Sequence, residues 1–419
     1  MVAAGLLTLA LGIGGLSAQS PADTAFTPAD IEVRDNLIAA QESLLNVARC
    51  RFGVDLMAVR GGCAGDHPIE GISRPGPFEG APSLVDIEVR DELIAVQESV
   101  LNTYRCRYGI DTLAVPGGCE HHAKGASASQ SPGELMSASE AIAAGGLPRG
   151  IITPTGVTVS VVGRDGDSYR VVTPCGNLAT VGNGQPLRGV RVVIDPGHGG
   201  AFDIGSYGPN GLAEKDLNLT LSQAVLDELA GRGIMASTTR TGDYDTQLSV
   251  RADFADALGA EALVSLHHNG PTYATGSTPG TEVFVQSDSQ HVARVDSARL
   301  GGLLHAEITE ALSRFKNVRW SRVSNAGVLR VLVPAGRDAY GIIRRPNLPS
   351  VLVEYGYLTN PSEAALFATA EYNSVSAKAT ANAIEAYLNT TRTGTEVKSQ
   401  PRIYTPQDAP SRCTEVELE

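Results

Sequence analysis

Short apolar runs alternate with stretches of helical period through the second half of the chain. The segment VRVVIDPGHGG, Val190 to Gly200, has four aliphatic residues in its first five positions and reads as a buried strand, which Pro196, Gly197, Gly199 and Gly200 prevent from continuing. Leu217, Leu221, Val225 and Leu229 then recur at helical spacing until Gly231 and Gly233. Beyond them the pattern predicts strands over Ile234–Thr239, Ala262–Leu266, Thr281–Gln286 and Val351–Glu354. It predicts helices over Leu248–Leu258, Val295–Phe315, Ser362–Phe367 and Tyr372–Leu388. Such alternation predicts an α/β domain, and its polar residues gather at strand ends, the edge where open α/β sheets bind ligands.

Upstream, Gly156 to Thr173 alternates like a hairpin turning at Asp165-Gly166, expected to pack on the sheet that follows. Downstream, Asn389 to Glu419 is a polar tail with no apolar period. The front third is a duplication: residues 30–63 recur as 86–119 at a constant offset of 56. Within the second copy Ile94, Gln97, Leu101 and Tyr104 share a face, which predicts one helix per copy, about Ile87 to Arg107 here. These signals divide the chain into a leader at 1–20, repeats at 28–63 and 84–119, linkers at 64–83 and 120–150, a main domain at 151–390 and a tail at 391–419.

Cysteine spacing adds covalent structure. Cys50 and Cys63 in one copy, and Cys106 and Cys119 in the other, stand 13 apart, so each pair is expected to close within its repeat. A unit of 34 residues buries too little to hold itself, and such a staple contributes on the order of 3 kcal/mol. Cys175 and Cys413 remain, either pairing in an oxidising compartment or standing as free or intermolecular thiols. The apolar run MVAAGLLTLALGIGGLSA agrees with export, although it lacks a basic start. The net charge of -13, without any basic stretch, argues against nucleic acid as a partner.

His198 sits on a glycine turn at a strand end, placed like a metal ligand or catalytic base; a turn histidine bonding nearby backbone is the plainer alternative. Glu214 heads a helix, where an acid can serve the helix dipole alone. His267 and His268 follow a strand and face opposite ways, so only one can join His198. Glu354 closes an apolar run, a costly position for an unpartnered carboxylate. Two histidines and a glutamate make a zinc set open to water, and a second glutamate could act as general base. The adjacent His121 and His122 lack a third ligand nearby and read as solvated.

VVIDPGHGG, GLAEKDLNL, SLHHN, GTEVFV and PSVLVEYGYLTN occur in an order that resembles the zinc-dependent N-acetylmuramoyl-L-alanine amidases of bacterial cell wall. The resemblance covers about 200 residues, Arg188 to Leu388. It implies a mainly parallel six-stranded sheet flanked by helices, one zinc ion, and hydrolysis of the amide between N-acetylmuramic acid and L-alanine in peptidoglycan. It puts His198, Glu214 and His267 on zinc, makes Glu354 the general base, and gives Asn269 and Glu282 supporting roles. His268 stands where the family usually has a small residue, and the S-L-H-x-N frame favours His267. The repeats are similar to short segments before catalytic domains in actinobacterial wall amidases.

The expectation is therefore an exported or envelope enzyme, monomeric, for wall remodelling or cell separation. Residues 28–119 are either spacers or modules that bind the wall, a protein activator or a divisome partner. The competing reading is a wall-binding or regulatory protein whose amidase fold is held shut.

Overall fold

A computed structural model describes residues 28–52, 63–64, 67–68, 90, 94, 134–270, 274–287, 293–406 and 412–419. The chain divides into two compact units, Met1–Glu98 and Ser99–Glu419. In the first, helix α1 (Pro28–Phe52) buries Ile31, Gln41, Leu45 and Asn46. Strands β1 (Cys63–Ala64) and β2 (His67–Pro68) pair antiparallel just past it. Arg90 of the second repeat donates through Nε to Asp35 of the first at 2.7 Å, an ion pair between the two copies. The leader, most of the second repeat, His121 and His122, and the side chains of Cys50 and Cys63 lie outside the described residues, and with them both repeat disulfides. Among the described residues no helix is long and apolar enough to cross a membrane.

The second unit opens with α2 (Ala138–Ala143), whose start is fixed reciprocally: the Glu140 amide donates to the Ser137 hydroxyl and the Ser137 amide to the Glu140 carboxylate. Five antiparallel strands follow: β3 (Gly150–Ile152), β4 (Thr158–Asp165), β5 (Ser168–Val172), β6 (Leu178–Val181) and β7 (Gln185–Pro186), in the order β6-β5-β4-β3-β7. The expected hairpin is thus the centre of a separate sheet with its own core of Ala138, Ala141, Ile151, Val159, Tyr169 and Val171. It meets helix α4 (Leu248–Leu258) rather than lying directly on the next sheet. The approach is close: a Cβ on Gly150 would stand 2.8 Å from the Leu258 side chain.

The main sheet contains β8 (Val192–Pro196), β9 (Ala236–Thr238), β10 (Ala262–Asn269), β12 (Glu282–Val285), β14 (Val328–Leu329) and β16 (Ser350–Tyr357). Their order is β14-β12-β16-β10-β8-β9. The joints β9/β8, β8/β10, β10/β16 and β12/β14 are parallel, while β12 runs antiparallel to β16. The sheet is therefore mixed, and the reversed β12 brings its first residue, Glu282, to the edge where β8, β10 and β16 end. On one face α3 (Glu214–Gly231), α5 (Arg294–Leu312) and α8 (Ala370–Asn389) cover a core of Val192, Leu221, Val225, Val264, Leu303, Val351 and Ile384. On the other, α4 and α6 (Gly341–Arg344) cover Val193, Phe254, Leu263, Ile342 and Leu352. α7 (Pro361–Phe367) starts where the Asn360 side chain accepts from the Ser362 amide.

Four short strands complete the described chain: β11 (Thr275–Gly276) on β13 (Trp320–Ser321), and β17 (Arg402–Ile403), which pairs parallel with β15 (Val331–Leu332). Though it lacks an apolar period, the tail is bound along its described length by its own backbone. Amides of Thr395, Lys398, Arg402 and Tyr404 donate to the carbonyls of Gly302, Val328, Arg330 and Leu332. Its last residues reach the small sheet, where Cys413 is disulfide-bonded to Cys175 and Glu415 accepts from Thr173 and Asn177.

Candidate metal centre

The turn after β8 is held by packing. His198 has φ of 62°, left-handed backbone that costs a non-glycine residue about 1–2 kcal/mol. Its carbonyl accepts from Arg251 Nη2 at 2.7 Å, and the next amide, Gly199, donates to the Asp203 carbonyl. Arg251 also pairs with the buried Asp195 at 2.9 Å, and Asp195 accepts from Ser265 and Thr239. Burial alone would raise the Asp195 pKa, but Arg251 and these hydroxyls outweigh it and hold the carboxyl below its ordinary value. Arg240 donates to the carbonyls of Pro196, Gly197 and Lys215. Two buried guanidiniums thus anchor the backbone that presents the histidine.

The structure brings together His198, Glu214 and His267, with one potential donor atom from each within 4.8 Å of the others. Glu214 Oε1 stands 3.1 Å from His198 Nε2 and 3.0 Å from His267 Nδ1, and the rings meet edge to face at 4.8 Å. Glu214 is buried at the first turn of α3, where its two oxygens accept from the amides of Ser206 and His268. Glycine makes the closeness possible. A Cβ on Gly197 would fall 2.2 Å from the His267 ring, and one on Gly205 2.6 Å from Glu214 Oε2.

Charge explains the affinity such a cluster has for a cation. Burial favours the neutral His198 ring, but Glu214 and Asp203 outweigh it and raise the pKa to about 10. Burial would likewise raise Glu214, yet His198 and His267 hold it well below the carboxylate range. A field that keeps a proton on imidazole this firmly also favours a metal ion in the proton's place. The donor chemistry fits: two imidazole nitrogens and one carboxylate oxygen on converging elements suit a zinc ion with an open fourth position.

Glu354 lies one strand over. In strand register His267 faces Glu354 and Glu354 faces Glu282, so the three stand in a row on one side of the sheet. Glu354 Oε2 is buried with no hydrogen-bond partner among the described residues. Burial, then the nearby Glu214 and Glu282, push its pKa well above the ordinary carboxyl value. Asn269 Nδ2 donates to Glu282 Oε2 at 3.3 Å, which links the two expected supporting residues.

His268 points to the opposite face. It is fully buried among Tyr355, Phe367 and Tyr372. Asn218 Nδ2 donates to the Gly197 carbonyl, so Asn218 Oδ1 is an acceptor and His268 Nδ1 carries the proton that reaches it at 2.8 Å. Nε2 then accepts from the Tyr372 hydroxyl at 2.6 Å. Burial holds the ring neutral, with its pKa pushed down to about 3.

Sequence reasoning missed two neighbours of the site. Asp203, five residues after His198, places Oδ1 2.5 Å from His198 Nδ1, the ring nitrogen turned away from Glu214. An acid in the same glycine-rich loop was a usable signal. Arg402 had none: it comes from the tail and forks onto Glu282.

The fold and site define an α/β protein with two histidines and a glutamate converging beside a buried carboxylate at one edge of its sheet. The comparisons with known proteins give that class a family. The family model described as N-acetylmuramoyl-L-alanine amidase matches residues 192–386. The chain is 34% identical over 219 residues to the uncharacterized protein YqiI of Bacillus subtilis, which covers 52% of this chain and 92% of that protein. It is 31% identical over 222 residues to the N-acetylmuramoyl-L-alanine amidase AmiA of Salmonella typhimurium, covering 47% and 76% respectively. The solved amidase AmiC2 of Nostoc punctiforme matches with 30% identity and a TM-score of 0.38, over 48% of this chain and 98% of that one. The chain belongs to the N-acetylmuramoyl-L-alanine amidase family, enzymes that act on peptidoglycan.

Proposed function

We propose that the protein is an exported zinc amidase that cuts the bond between N-acetylmuramic acid and the L-alanine of the stem peptide, for wall remodelling or cell separation. The observation that carries this reading is the convergence of His198, Glu214 and His267 within 4.8 Å beside Glu354, whose buried Oε2 has no hydrogen-bond partner among the described residues. The three would hold one zinc ion, whose chemistry when bound is to acidify water and polarise the amide carbonyl.

The chain's own groups do the rest. Asp203 fixes the His198 ring so that Nε2 faces the cluster. Glu354 takes the proton from the attacking water as the C–O bond forms, then returns it to the alanine nitrogen as the C–N bond breaks, leaving a lactyl carboxylate and a free amine. A carboxyl group with a raised pKa suits both transfers. Asn269 and Glu282 are hydrogen-bonded to each other on the strands beside the base. Residues 28–119 are assigned to wall or partner binding, because a duplicated unit offers two copies of one surface.

The test is mass spectrometry of the soluble products after zinc-loaded full-length protein is incubated with purified peptidoglycan. Stem peptides beginning at L-alanine, lost on chelation and regained with zinc, are the expected result. Intact peptidoglycan, or cleavage unaffected by chelation, would overturn the reading.

A further inference from the structure

Glu282 and Glu354 are direct partners across the antiparallel β12/β16 joint. Paired residues there stand roughly 5 Å apart at Cβ and face the same side. Glu282 is 1% exposed, and two carboxylates so placed repel unless a cation intervenes. The cation is Arg402. Its Nη1 donates to Glu282 Oε2 at 3.1 Å and its Nη2 to Oε1, a fork on both oxygens, while Nη2 also donates to Asn325 Oδ1 at 2.8 Å.

The rest of the environment holds this guanidinium in one place. Its own amide donates to the Arg330 carbonyl at 2.9 Å and that of Tyr404 to Leu332. Its guanidinium carbon lies 5.9 Å from the Phe284 ring centre. Tyr340 stacks on Phe284 and, more loosely, on Tyr404. Glu282 in turn accepts from Asn269 at 3.3 Å and from the Tyr357 hydroxyl at 3.4 Å. Arg402 thus reaches from the tail to the carboxylate that stands beside Glu354.

We propose that Arg402 is a positioning residue for amide hydrolysis: it supplies the counter-charge that lets Glu282 stand beside Glu354, and so fixes the Asn269–Glu282 pair beside which the base works. This role rests on the amidase reading above. Arg402 acts through Glu282 rather than by touching substrate. Removing it strands a buried carboxylate beside another, and removing Glu282 as well relieves that conflict.

The experiment is a double-mutant cycle in the full-length protein with a soluble muramyl-peptide substrate. It compares wild type, R402M, E282Q and R402M/E282Q, reading kcat, KM, zinc affinity by calorimetry and the thermal unfolding midpoint. R402M is expected to lower kcat about 10- to 100-fold with KM and zinc affinity nearly unchanged. R402M/E282Q should return to the kcat of E282Q alone. The unfolding midpoint should fall on R402M in the wild-type background and not in the E282Q background. If R402M does not fold, R402K and R402K/E282Q take its place, because lysine keeps the charge but loses the fork.

A wild-type kcat for the Arg402 variant, a double variant with a kcat below that of E282Q, or a rise in KM alone would each overturn the role. No product from the wild type would sink the amidase reading and this role with it. Product from the wild type with kcat unaffected by the Arg402 variant would sink this role alone.

Discussion

The site has two halves that are built differently. The half formed by His198, Glu214 and His267 joins a glycine turn, the first turn of a helix and the end of a strand parallel to its neighbours. Some of its supports are near in sequence, with Asp203 five residues from His198 and the Ser206 amide eight from Glu214, while Arg251 and the His268 amide reach it from more than 50 residues away. The half formed by Glu354, Glu282 and Asn269 depends instead on a strand of opposite direction. Glu282 and Glu354 meet only because β12 runs backwards, and Glu282 finds its cation 120 residues away. A site can thus gather its cation donors at turns and parallel strand ends and balance its acid–base groups across a reversed strand.

Perturbing one half should leave the other readable. The largest effect is expected from Glu354→Gln, which should lower kcat by on the order of 10²–10⁴ while bound zinc, measured by atomic absorption, stays at the wild-type ratio. Loss of zinc with activity would show that the halves are not separable. Asp203→Asn should do the converse, weakening zinc about 10- to 100-fold in a competition titration and restoring most activity at saturating zinc.

Cutting the Cys175–Cys413 bond by Cys413→Ser should destabilise the unit by about 2–4 kcal/mol in denaturant unfolding, with zinc affinity unaffected. Zinc loss in that variant would mean that the tail supports the wrong half.

The smallest effect concerns His268, on the far side of the sheet. Its folded pKa, about 3, is below the ordinary 6.5, so the unfolded chain takes up a proton first as pH falls. Stability should therefore drop between pH 6.5 and 3 by up to about 1.4 kcal/mol per pH unit from this group. His268→Gln should flatten that slope in unfolding curves without changing zinc content at neutral pH; an unchanged slope would disprove the buried neutral ring.

What was legible in the sequence follows the same division. An apolar run that ends in a polar residue is visible by itself, so His198, His267 and Glu354 stood out, Glu214 was visible at the head of a helix, and five ordered motifs gave Asn269 and Glu282 their roles. Strand direction is not visible in that way, since the period of β12 is the same whichever way it runs. The small antiparallel sheet was seen only as its central hairpin, because β3 and β7 span only Gly150–Ile152 and Gln185–Pro186 and carry little alternation. Arg402 was hidden for a sharper reason. It lies in a segment held by backbone hydrogen bonds and a disulfide, neither of which leaves an apolar pattern.

The tail also sets an order of events. Arg402 follows His198 by 204 residues, so a chain made from its N-terminus has all three cation donors long before it has the guanidinium that settles Glu282. Oxidation of Cys413 onto Cys175 comes later still. On the role proposed for Arg402, a chain clipped before it would keep its three cation donors while Glu282 lost its counter-charge, so cation binding and full turnover would come apart.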